Sequence, residues 1–531
     1  MKLRNLLLIF IIGLAFFLRF YKLGEVPMGI HRDEESHGYN AYSLRLTGKD
    51  RYGEPSPILF RSFGSYQPPL YTYLAILPVW FFGNTIFGVR FLSALMGVLL
   101  VVLTYFFSLH VFQDKKNKYK FSAIASLVIA VSPWSIFFSR LVAEGNLGVT
   151  VFIFSIFLFV LSLKNVKIFP IATLVLALST HAYYSERVIS ILFLPAFLFL
   201  YKDYFRTNLK WLTFGLVAFV LVMVPHLFIL QSGALTRRLV EVGYIGNKSP
   251  IFEFIKRYLI YFSPRNLFFD TGASLGRISP ELGVFYSIFI IPFFFGLKNA
   301  RKLIQPKFLK LFILLLVVTP VSAALTGDSF YPLRVLDLMW FFSFIISLGI
   351  FSIWQFHLLG KIGLVVLTST VAFCLFWFYI SYFVFFKYER AKDYGYVYIS
   401  LMDKLNKYSD YRVIVDSASD PGAGLRYAYL TGFDPTRLQK LLSFQLKSPY
   451  YSRDVALNED YILDNIEFRA IEWRRVVCED KVLLVGDRLA ISEGQIKEHK
   501  LKYEFEVEDV SGYGNGLFAY STNPKEKCGR R

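Results

Sequence analysis

The sequence predicts an all-α polytopic membrane protein with a small soluble α/β or α+β domain at its C-terminal end. Its 531 residues are 55% hydrophobic and only 18% charged, which is too apolar for an ordinary soluble protein of this size. Many apolar runs approach the ~20 residues that a helix needs to cross a bilayer. After Lys387 charged residues are frequent throughout, which indicates that the membrane part ends near that position.

Eleven apolar runs are interpreted as transmembrane helices. The first run follows Lys2 and Arg4 but has no small-residue cleavage site after it, so it predicts an uncleaved span. The stretch Tyr71–Phe82 is too short to cross comfortably, and we interpret it as a juxtamembrane helix in the outer interface. The predicted spans lie at 5–23, 87–112, 121–139, 147–163, 168–184, 188–201, 211–230, 284–297, 309–326, 335–356 and 362–386.

The loop charges predict the orientation of these spans. If the N-terminus is cytoplasmic, every short inside loop is basic, as the positive-inside rule requires. The net charge of +19 therefore indicates membrane topology, and we expect no nucleic-acid partner. An odd number of spans places the C-terminal region outside the plasma or inner membrane. The predicted domains are a transmembrane domain at 1–389 and an extracytoplasmic soluble domain at 390–531.

The soluble region contains short apolar runs that predict strands, such as Arg412–Val415 and Lys481–Val485. Cys478 and Cys528 both lie in this region and are able to pair if it faces an oxidising space. The sequence alone leaves that pairing open.

The first loop, residues 24–70, contains three adjacent carboxylates, Asp33, Glu34 and Glu35, in front of the helix-like segment Ser36–Leu46. One interpretation is a helix start that Asp33 caps and that the glutamates stabilise through the helix dipole. The other is a general base at the outer surface, which removes the proton of an attacking alcohol or amine. The two interpretations are compatible, because a helix end also holds a carboxylate rigidly.

Glu144 is a second acidic residue on the predicted outer side, after the third span. It is either a hydrated charge at the interface or a partner of Asp33 across a cavity, where it orients an acceptor or a metal ion. The sequence has no metal-ligand spacing, so no metal site is predicted, and participation of a divalent cation stays open.

Four arginines are candidates for binding a phosphate group: Arg187 and Arg334 at outer span ends, and Arg61 and Arg265 in outer loops. An arginine at a span end also extends to lipid headgroups without any further role. Guanidinium nevertheless binds phosphate through two parallel hydrogen bonds and stabilises a leaving anion. We expect these groups to meet the acidic residues in one pocket. Its other predicted residues are His31, Tyr66, Gln67, His181, Tyr184 and Tyr331.

The order of these segments resembles the GT-C superfamily of integral-membrane glycosyltransferases. The likeness is closest to the bacterial branch related to dolichyl-phosphate-mannose protein mannosyltransferases and to the lipid A aminoarabinose transferase. It covers roughly residues 1–390. The segments that carry it are Asp33-Glu34, Tyr66 to Tyr71, Arg90 to Leu95, Ser139-Arg140 with Glu144, and Tyr331 to Arg334.

The resemblance implies that Asp33, with Glu34 beside it, supplies the catalytic base. Two positions depart from the family pattern: Glu144 stands where an aspartate is usual, and Gln67 stands where relatives often have lysine or histidine before Pro-Pro. If that position binds the carrier phosphate in relatives, an arginine must do so here, because Gln67 brings no charge to a phosphate.

The resemblance and the residues together predict a glycosyltransferase of the cell envelope that moves a sugar, with inversion, at the outer face. Its donor is a polyprenyl-phosphate-linked sugar in the lipid bilayer, and its acceptor is a hydroxyl or amine on a lipid, glycan or protein. The alternative is a transporter or flippase for a lipid-linked or anionic solute. Transporters place ionisable residues near the bilayer midplane and often have repeats, which this sequence lacks.

Overall fold

The computed structural model describes residues 3–244, 249–269, 282–328, 330–356, 360–512 and 516–529. Most of these residues are helical, and the main sheet lies near the C-terminal end. The chain divides into two compact units. Unit 1 consists of Met1–Lys22, Pro68–Tyr71 and Phe91–Tyr382, and unit 2 of Leu23–Gln67, Thr72–Arg90 and Phe383–Arg531. The predicted domain boundary between residues 389 and 390 stays a prediction.

Unit 1 is built from helices, several of them rich in Leu, Ile, Val and Phe. Its longer helices, together with two that continue from or into unit 2, are Leu3–Phe20, Pro69–Phe82, Ile86–Val111, Lys118–Val131, Glu144–Ser162, Phe169–Ser179, Tyr184–Leu200, Leu209–Phe228, Pro250–Ile260, Ile290–Leu303, Pro306–Val318, Leu336–Gln355 and Lys361–Tyr379. Short helices fill the connections, at Pro133–Ser139, Lys202–Arg206, Ala234–Val242, Pro264–Phe268 and Val321–Ala324.

Within the described residues, six helices are long and apolar enough to cross a membrane, which supports a multi-pass membrane protein. The predicted count of eleven spans is not confirmed. Several predicted spans form helices that are shorter than a bilayer crossing requires, for example Phe169–Ser179 and Ile290–Leu303. The six helices lie within Ile86–Val111, Glu144–Ser162, Leu209–Phe228, Pro306–Ala324, Pro332–Gln355 and Thr368–Glu389.

The predicted span at 121–139 is bent by 57° between Lys118–Val131 and Pro133–Ser139. Proline has no backbone N–H and restricts the residue before it to extended backbone, so the first helix ends at this point. Ser132 adopts that extended conformation, and its hydroxyl accepts from the backbone N–H of Ser135. If this pair forms one span, the count rises to seven.

Unit 2 combines most of the first loop with the C-terminal region. The first loop forms the helix Arg32–Thr47 and a hairpin of strands Phe60–Ser62 and Ser65–Gln67. The helix packs against Ala423–Thr431, where Gly38 lies so close to the Tyr429 ring that a side chain at this position would clash. The first loop is therefore part of the core of unit 2.

Residues of the predicted soluble domain form a six-stranded mixed sheet. Two parallel pairings surround the strand Arg412–Val415, and antiparallel pairings complete both edges. In spatial order the strands are Tyr461–Leu463, Ile466–Phe468, Arg412–Val415, Val482–Gly486, Leu517–Ser521 and Lys502–Val507. The accompanying helices are Tyr396–Leu405, Ala423–Thr431, Pro435–Gln445, Trp473–Val476, Glu493–His499 and Pro524–Cys528.

Cys478 and Cys528 form a disulfide bond with a Cα–Cα distance of 5.9 Å. This structure decides the pairing that the sequence left open. Disulfides persist in oxidising compartments, so the bond favours the predicted extracytoplasmic location of this region. The side of the membrane itself stays a prediction.

We expect the disulfide to survive purification under non-reducing conditions. In denaturing detergent, a maleimide polymer should then label only Cys374, and after reduction it should label all three cysteines. Because the bond closes a loop with a sequence separation of 50 residues, Cys528→Ser should lower the free energy of unfolding by about 4 kcal/mol. Labelling of three cysteines without reductant would contradict the pairing, and Cys374→Ser is the control.

Candidate active site

The predicted site residues fall into two clusters, one in each unit. The acidic helix start comprises residues His31 to Glu35 of unit 2. The arginine cluster comprises Glu144, Tyr183, Tyr184, Arg187 and Arg334 of unit 1. Each cluster is described by itself, and the expectation that acids and arginines share one pocket stays a prediction.

The acidic helix start is organised by a capping box. The ring Nδ1 of His31 accepts from the backbone N–H of Asp33 at 3.3 Å, and Glu34 Oε2 accepts from the backbone N–H of His31 at 2.9 Å. The prediction that Asp33 caps this helix was wrong, because the helix begins at Arg32 and His31 takes the extended cap conformation. Asp33 instead lies in the first turn with its side chain 53% exposed.

Glu34 is held by a buried arginine that was recognised in the sequence only as part of a motif. Arg90 donates from Nε to Glu34 Oε1 at 2.8 Å and from Nη2 to Glu34 Oε2 at 2.7 Å. Its guanidinium also donates to the carbonyl oxygens of Pro27 and Gly29. Both oxygens of Glu34 therefore accept charge-assisted hydrogen bonds, which suits a positioning role better than proton transfer.

Glu35 points into the interior of unit 2 and meets Arg426. Its Oε2 lies 3.1 Å from Arg426 Nε, and Arg426 Nη1 donates to Asp420 at 2.7 Å. Burial raises the pKa of Glu35 well above its usual value, against the opposing charge of Arg426. Burial also acts to raise the pKa of Asp420, but Arg426 outweighs it and holds that pKa below the usual value.

Gln67, predicted for the substrate pocket, is buried and forms hydrogen bonds with the first turn of the helix Arg32–Thr47. Its Nε2 donates to the carbonyl oxygen of Asp33 at 3.3 Å, and its Oε1 accepts from Ser36 at 2.8 Å. Arg51 Nη1 in turn donates to the Ser36 hydroxyl at 2.7 Å. These contacts fix the orientation of the first helical turn.

Arg61 and Tyr66 both bind the segment Ser448–Asp454 of the C-terminal region. The guanidinium of Arg61 donates to carbonyl oxygens that include those of Pro449 and Asp454, and it is only 3% exposed. The Tyr66 hydroxyl accepts from the backbone N–H of Ser452 at 2.7 Å. The predicted phosphate role of Arg61 conflicts with this geometry, because backbone carbonyls already occupy its donors.

Arg187 is the arginine whose donors are least satisfied in the arginine cluster. Its Nε donates to the carbonyl oxygen of Thr180 at 3.1 Å, and its guanidinium lies 4.7 Å from the centre of the Tyr184 ring. Both Nη atoms are buried and have no hydrogen-bond partner in the described part of the chain. Buried donors of this kind are costly unless something binds them, which points to an anionic ligand.

Three segments of unit 1 come together around Arg187. Ser185 donates to the carbonyl oxygen of Arg334 at 3.1 Å. Gly145 allows Leu333 to approach the start of the helix Glu144–Ser162, since a side chain at Gly145 would lie 3.0 Å from Leu333. Glu144 is also close enough to interact electrostatically with Arg187. The structure thus brings Glu144, Arg187 and Arg334 into one neighbourhood.

Arg334 differs from Arg187 because it has an acidic partner. Its Nη1 lies 2.7 Å from Asp328 and donates to Thr326 at 2.6 Å, while Tyr331 packs against the guanidinium with 4.2 Å to the ring centre. A phosphate at Arg334 must compete with the carboxylate of Asp328.

The two remaining predicted residues of unit 1 have different environments. His181 lies in the turn before Tyr184, where its carbonyl oxygen accepts from Leu70 at 3.0 Å. The ring Nε2 of His181 lies 3.0 Å from the carbonyl oxygen of Val222. Arg265 is exposed in the short helix Pro264–Phe268.

The sequence did not predict that buried arginines of unit 2 hold the acidic helix start in place. Arg90 had a signal, because it is a charged residue at the start of a long apolar helix. Arg51 and Arg426 had none. Arg51 contacts Ser36 within the first loop, and Arg426 contacts Glu35 from a distant part of the chain. Among the described residues, no three His, Cys, Asp or Glu side chains form a group suited to a metal ion.

Comparison with known proteins confirms the resemblance to the GT-C superfamily. Residues 66–229 match the family model of dolichyl-phosphate-mannose-protein mannosyltransferase. The fold matches the crystal structure of ArnT from Cupriavidus metallidurans bound to undecaprenyl phosphate, with a TM-score of 0.54, 10% identity, and coverage of 96% of this chain and 97% of that chain. The apo state of ArnT matches with a TM-score of 0.52, 12% identity and the same coverage.

A third structure, the oligosaccharyltransferase AglB from Archaeoglobus fulgidus, matches with a TM-score of 0.46 and 11% identity, over 98% of this chain and 74% of that chain. At the level of sequence, no curated protein gives a match.

The buried ion pair between Glu34 and Arg90 gives a prediction about stability. Glu34→Ala leaves Arg90 buried without its carboxylate partner, and we expect it to lower the free energy of unfolding by about 3–5 kcal/mol. The control is Asp203→Ala, which removes an exposed partner of Arg206 and should cost at most about 1 kcal/mol. Denaturant unfolding in detergent measures both. Equal effects would show that the Glu34–Arg90 pair does not anchor the first loop.

Proposed function

We propose that this chain, which has the fold of the GT-C glycosyltransferases, moves a sugar from a polyprenyl-phosphate carrier to an acceptor hydroxyl or amine. The reaction would invert the anomeric centre and take place at the outer face of the membrane. The observation that carries the proposal is the guanidinium of Arg187, whose two buried Nη atoms have no partner in the described residues. A carrier phosphate supplies two oxygens for this pair of donors.

A lipid carrier also explains why such an enzyme has many apolar helices. The polyprenyl tail stays in the bilayer, so the reacting sugar phosphate is delivered at the membrane surface. The relative ArnT was crystallised with undecaprenyl phosphate, a lipid of this chemistry. The transferred unit would be a hexose or a pentose.

Asp33 is the proposed base. Of the three adjacent carboxylates it is the exposed one, whereas Glu34 and Glu35 are buried against Arg90 and Arg426. The acceptor oxygen or nitrogen attacks the anomeric carbon and gives its proton to Asp33. The bond from that carbon to the phosphate oxygen breaks, and its electron pair leaves with the phosphate, which Arg187 stabilises.

The other residues have supporting roles in this proposal. Glu144 and Tyr184 orient the Arg187 guanidinium, through charge and ring contact respectively. Arg334 is a second ligand of the phosphate. Its guanidinium must release the carboxylate of Asp328 before it binds the carrier phosphate. Glu34 positions Asp33 through the shared first helical turn.

Asp33→Asn should reduce kcat by about 10²- to 10⁴-fold, because the amide cannot take the acceptor's proton. Purified protein is incubated with a panel of polyprenyl-phosphate sugars, and release of the bare lipid phosphate is measured. The matched control is Asp460→Asn, which removes an exposed carboxylate elsewhere in unit 2. Near-normal release by the Asp33 variant would remove this residue as the base.

Arg187→Gln should lower kcat/KM for the donor about 10²-fold or more, since the phosphate loses a two-pronged charged ligand. Arg187→Lys keeps the charge but not the fork geometry, so it should recover only part of that loss. Arg301→Gln, an exposed arginine in the last turn of the helix Ile290–Leu303, is the control. An unchanged donor kcat/KM in Arg187→Gln would contradict the phosphate site.

A further inference from the structure

Unit 2 contains a cavity of about 450 Å³ beside the acidic helix start. This size lies within the range of about 300–1,000 Å³ that is usual for ligand pockets. Its walls come from the first loop and from the C-terminal region, both within unit 2. The lining side chains that matter for recognition are His31, Arg32, Lys392, Tyr398, Asp487 and Asp509.

The cavity lies beside the proposed base, although Asp33 is not one of its lining residues. His31 and Arg32 line it directly, and Asp33 follows them in the chain. The ring Nδ1 of His31 lies 3.5 Å from Asp33 Oδ2. A ligand that contacts His31 in the cavity therefore touches a residue that is itself in contact with the proposed base.

The floor of the cavity is held in place by contacts within the protein. Arg426 lines the cavity with 2% exposure and is held between Glu35 and Asp420. Gly422 allows this arrangement, because a side chain at that position would collide with Glu35 Oε1. The charge of Arg426 is thus balanced inside the protein and is not free to attract an anionic ligand.

The remaining charges favour a neutral ligand rich in hydroxyl groups. Asp487 Oδ1 accepts from the backbone N–H groups of Leu489 and Ala490, which orients its Oδ2 as a fixed hydrogen-bond acceptor. Asp509 is fixed by Ser511, whose backbone N–H donates to Oδ1 and whose hydroxyl donates to Oδ2. Asp393 also lines the cavity, and together these carboxylates repel an anionic ligand. Arg32 and Lys392 repel a cationic ligand.

We infer that this cavity is the acceptor subsite and that the acceptor is a neutral glycan, whose hydroxyl is the nucleophile. Hydroxyl groups donate to Asp487 and Asp509 and accept from Arg32 and Lys392, and the side chain of Tyr398 also lines the cavity. The inference rests on the proposed function for the transfer step, but binding of the glycan does not require the donor.

The first experiment measures binding without a donor. Neutral oligosaccharides of glucose, mannose or galactose are added to the full-length protein in detergent, and saturation-transfer NMR gives the affinity. Asp487→Asn keeps the turn, because an amide oxygen also accepts from the two N–H groups, but it removes the charge-assisted bond. We expect affinity to fall about tenfold or more, and further in the double variant with Asp509→Asn.

The control is Asp403→Asn, an exposed carboxylate on the helix Tyr396–Leu405 outside the cavity lining, which should leave affinity within twofold. Higher ionic strength should also leave the affinity unchanged, as for a neutral ligand. Three results would overturn the inference. They are equal affinity in Asp487→Asn and Asp403→Asn, tighter binding of acidic than of neutral saccharides by the unaltered protein, and tighter binding of amino saccharides than of neutral ones, which would indicate a cationic ligand.

The second experiment separates this inference from the proposed function. In transfer assays, Asp487→Asn should raise the acceptor KM about tenfold, with the donor KM and kcat within about twofold. A variant that transfers sugar with an unchanged acceptor KM overturns the subsite and leaves the transferase intact. Glycan binding without any release of lipid phosphate supports the subsite and rejects the proposed donor chemistry.

Discussion

The buried ion pair between Glu34 and Arg90 is the interaction on which the acidic helix start depends. Arg90 is fully buried, and it donates both to Glu34 and to the backbone carbonyls of Pro27 and Gly29, which precede the helix. A charge in such a place is tolerated only when its partner and its hydrogen bonds are complete. The pair therefore fixes where the chain enters the helix Arg32–Thr47, and with it the position of Asp33. The capping box through His31 adds a second restraint on the same turn.

Three neighbouring carboxylates consequently have three different chemistries. Glu34 accepts hydrogen bonds from Arg90 with both of its oxygens, Glu35 is buried with a raised pKa, and Asp33 is exposed at the surface of the helix start. A helix turns by about 100° per residue, so consecutive side chains point in different directions. The different environments follow from that rotation, because Glu34 contacts Arg90 and Glu35 contacts Arg426. It leaves Asp33 as the carboxylate that suits proton transfer.

A similar distinction separates the arginines of unit 1. Arg334 is neutralised by Asp328, whereas the Nη atoms of Arg187 are buried without partners in the described residues. In the sequence the two residues have equivalent positions at the ends of apolar runs. Their difference depends on which side chains the packing places around them. Arg61 shows the same limit, because its donors are used by carbonyls nearly 400 residues away in the sequence.

The sequence by itself determined the apolar helical character, the sheet near the C-terminal end, the resemblance to the GT-C superfamily and the segments of the chain that carry the candidate site. These features follow from composition, from the periodicity of apolar residues and from the order of motifs along the chain. Each of them can be read from a short segment without its partners in the fold. Only the tertiary structure decided the lengths of the helices, the cap at His31, the disulfide and the separate roles of Asp33, Glu34 and Glu35. Each of these depends on a partner distant in the chain or on backbone geometry, as Arg90 and Arg426 illustrate. The cavity of unit 2 had no sequence signal, because its walls come from segments that only folding brings together.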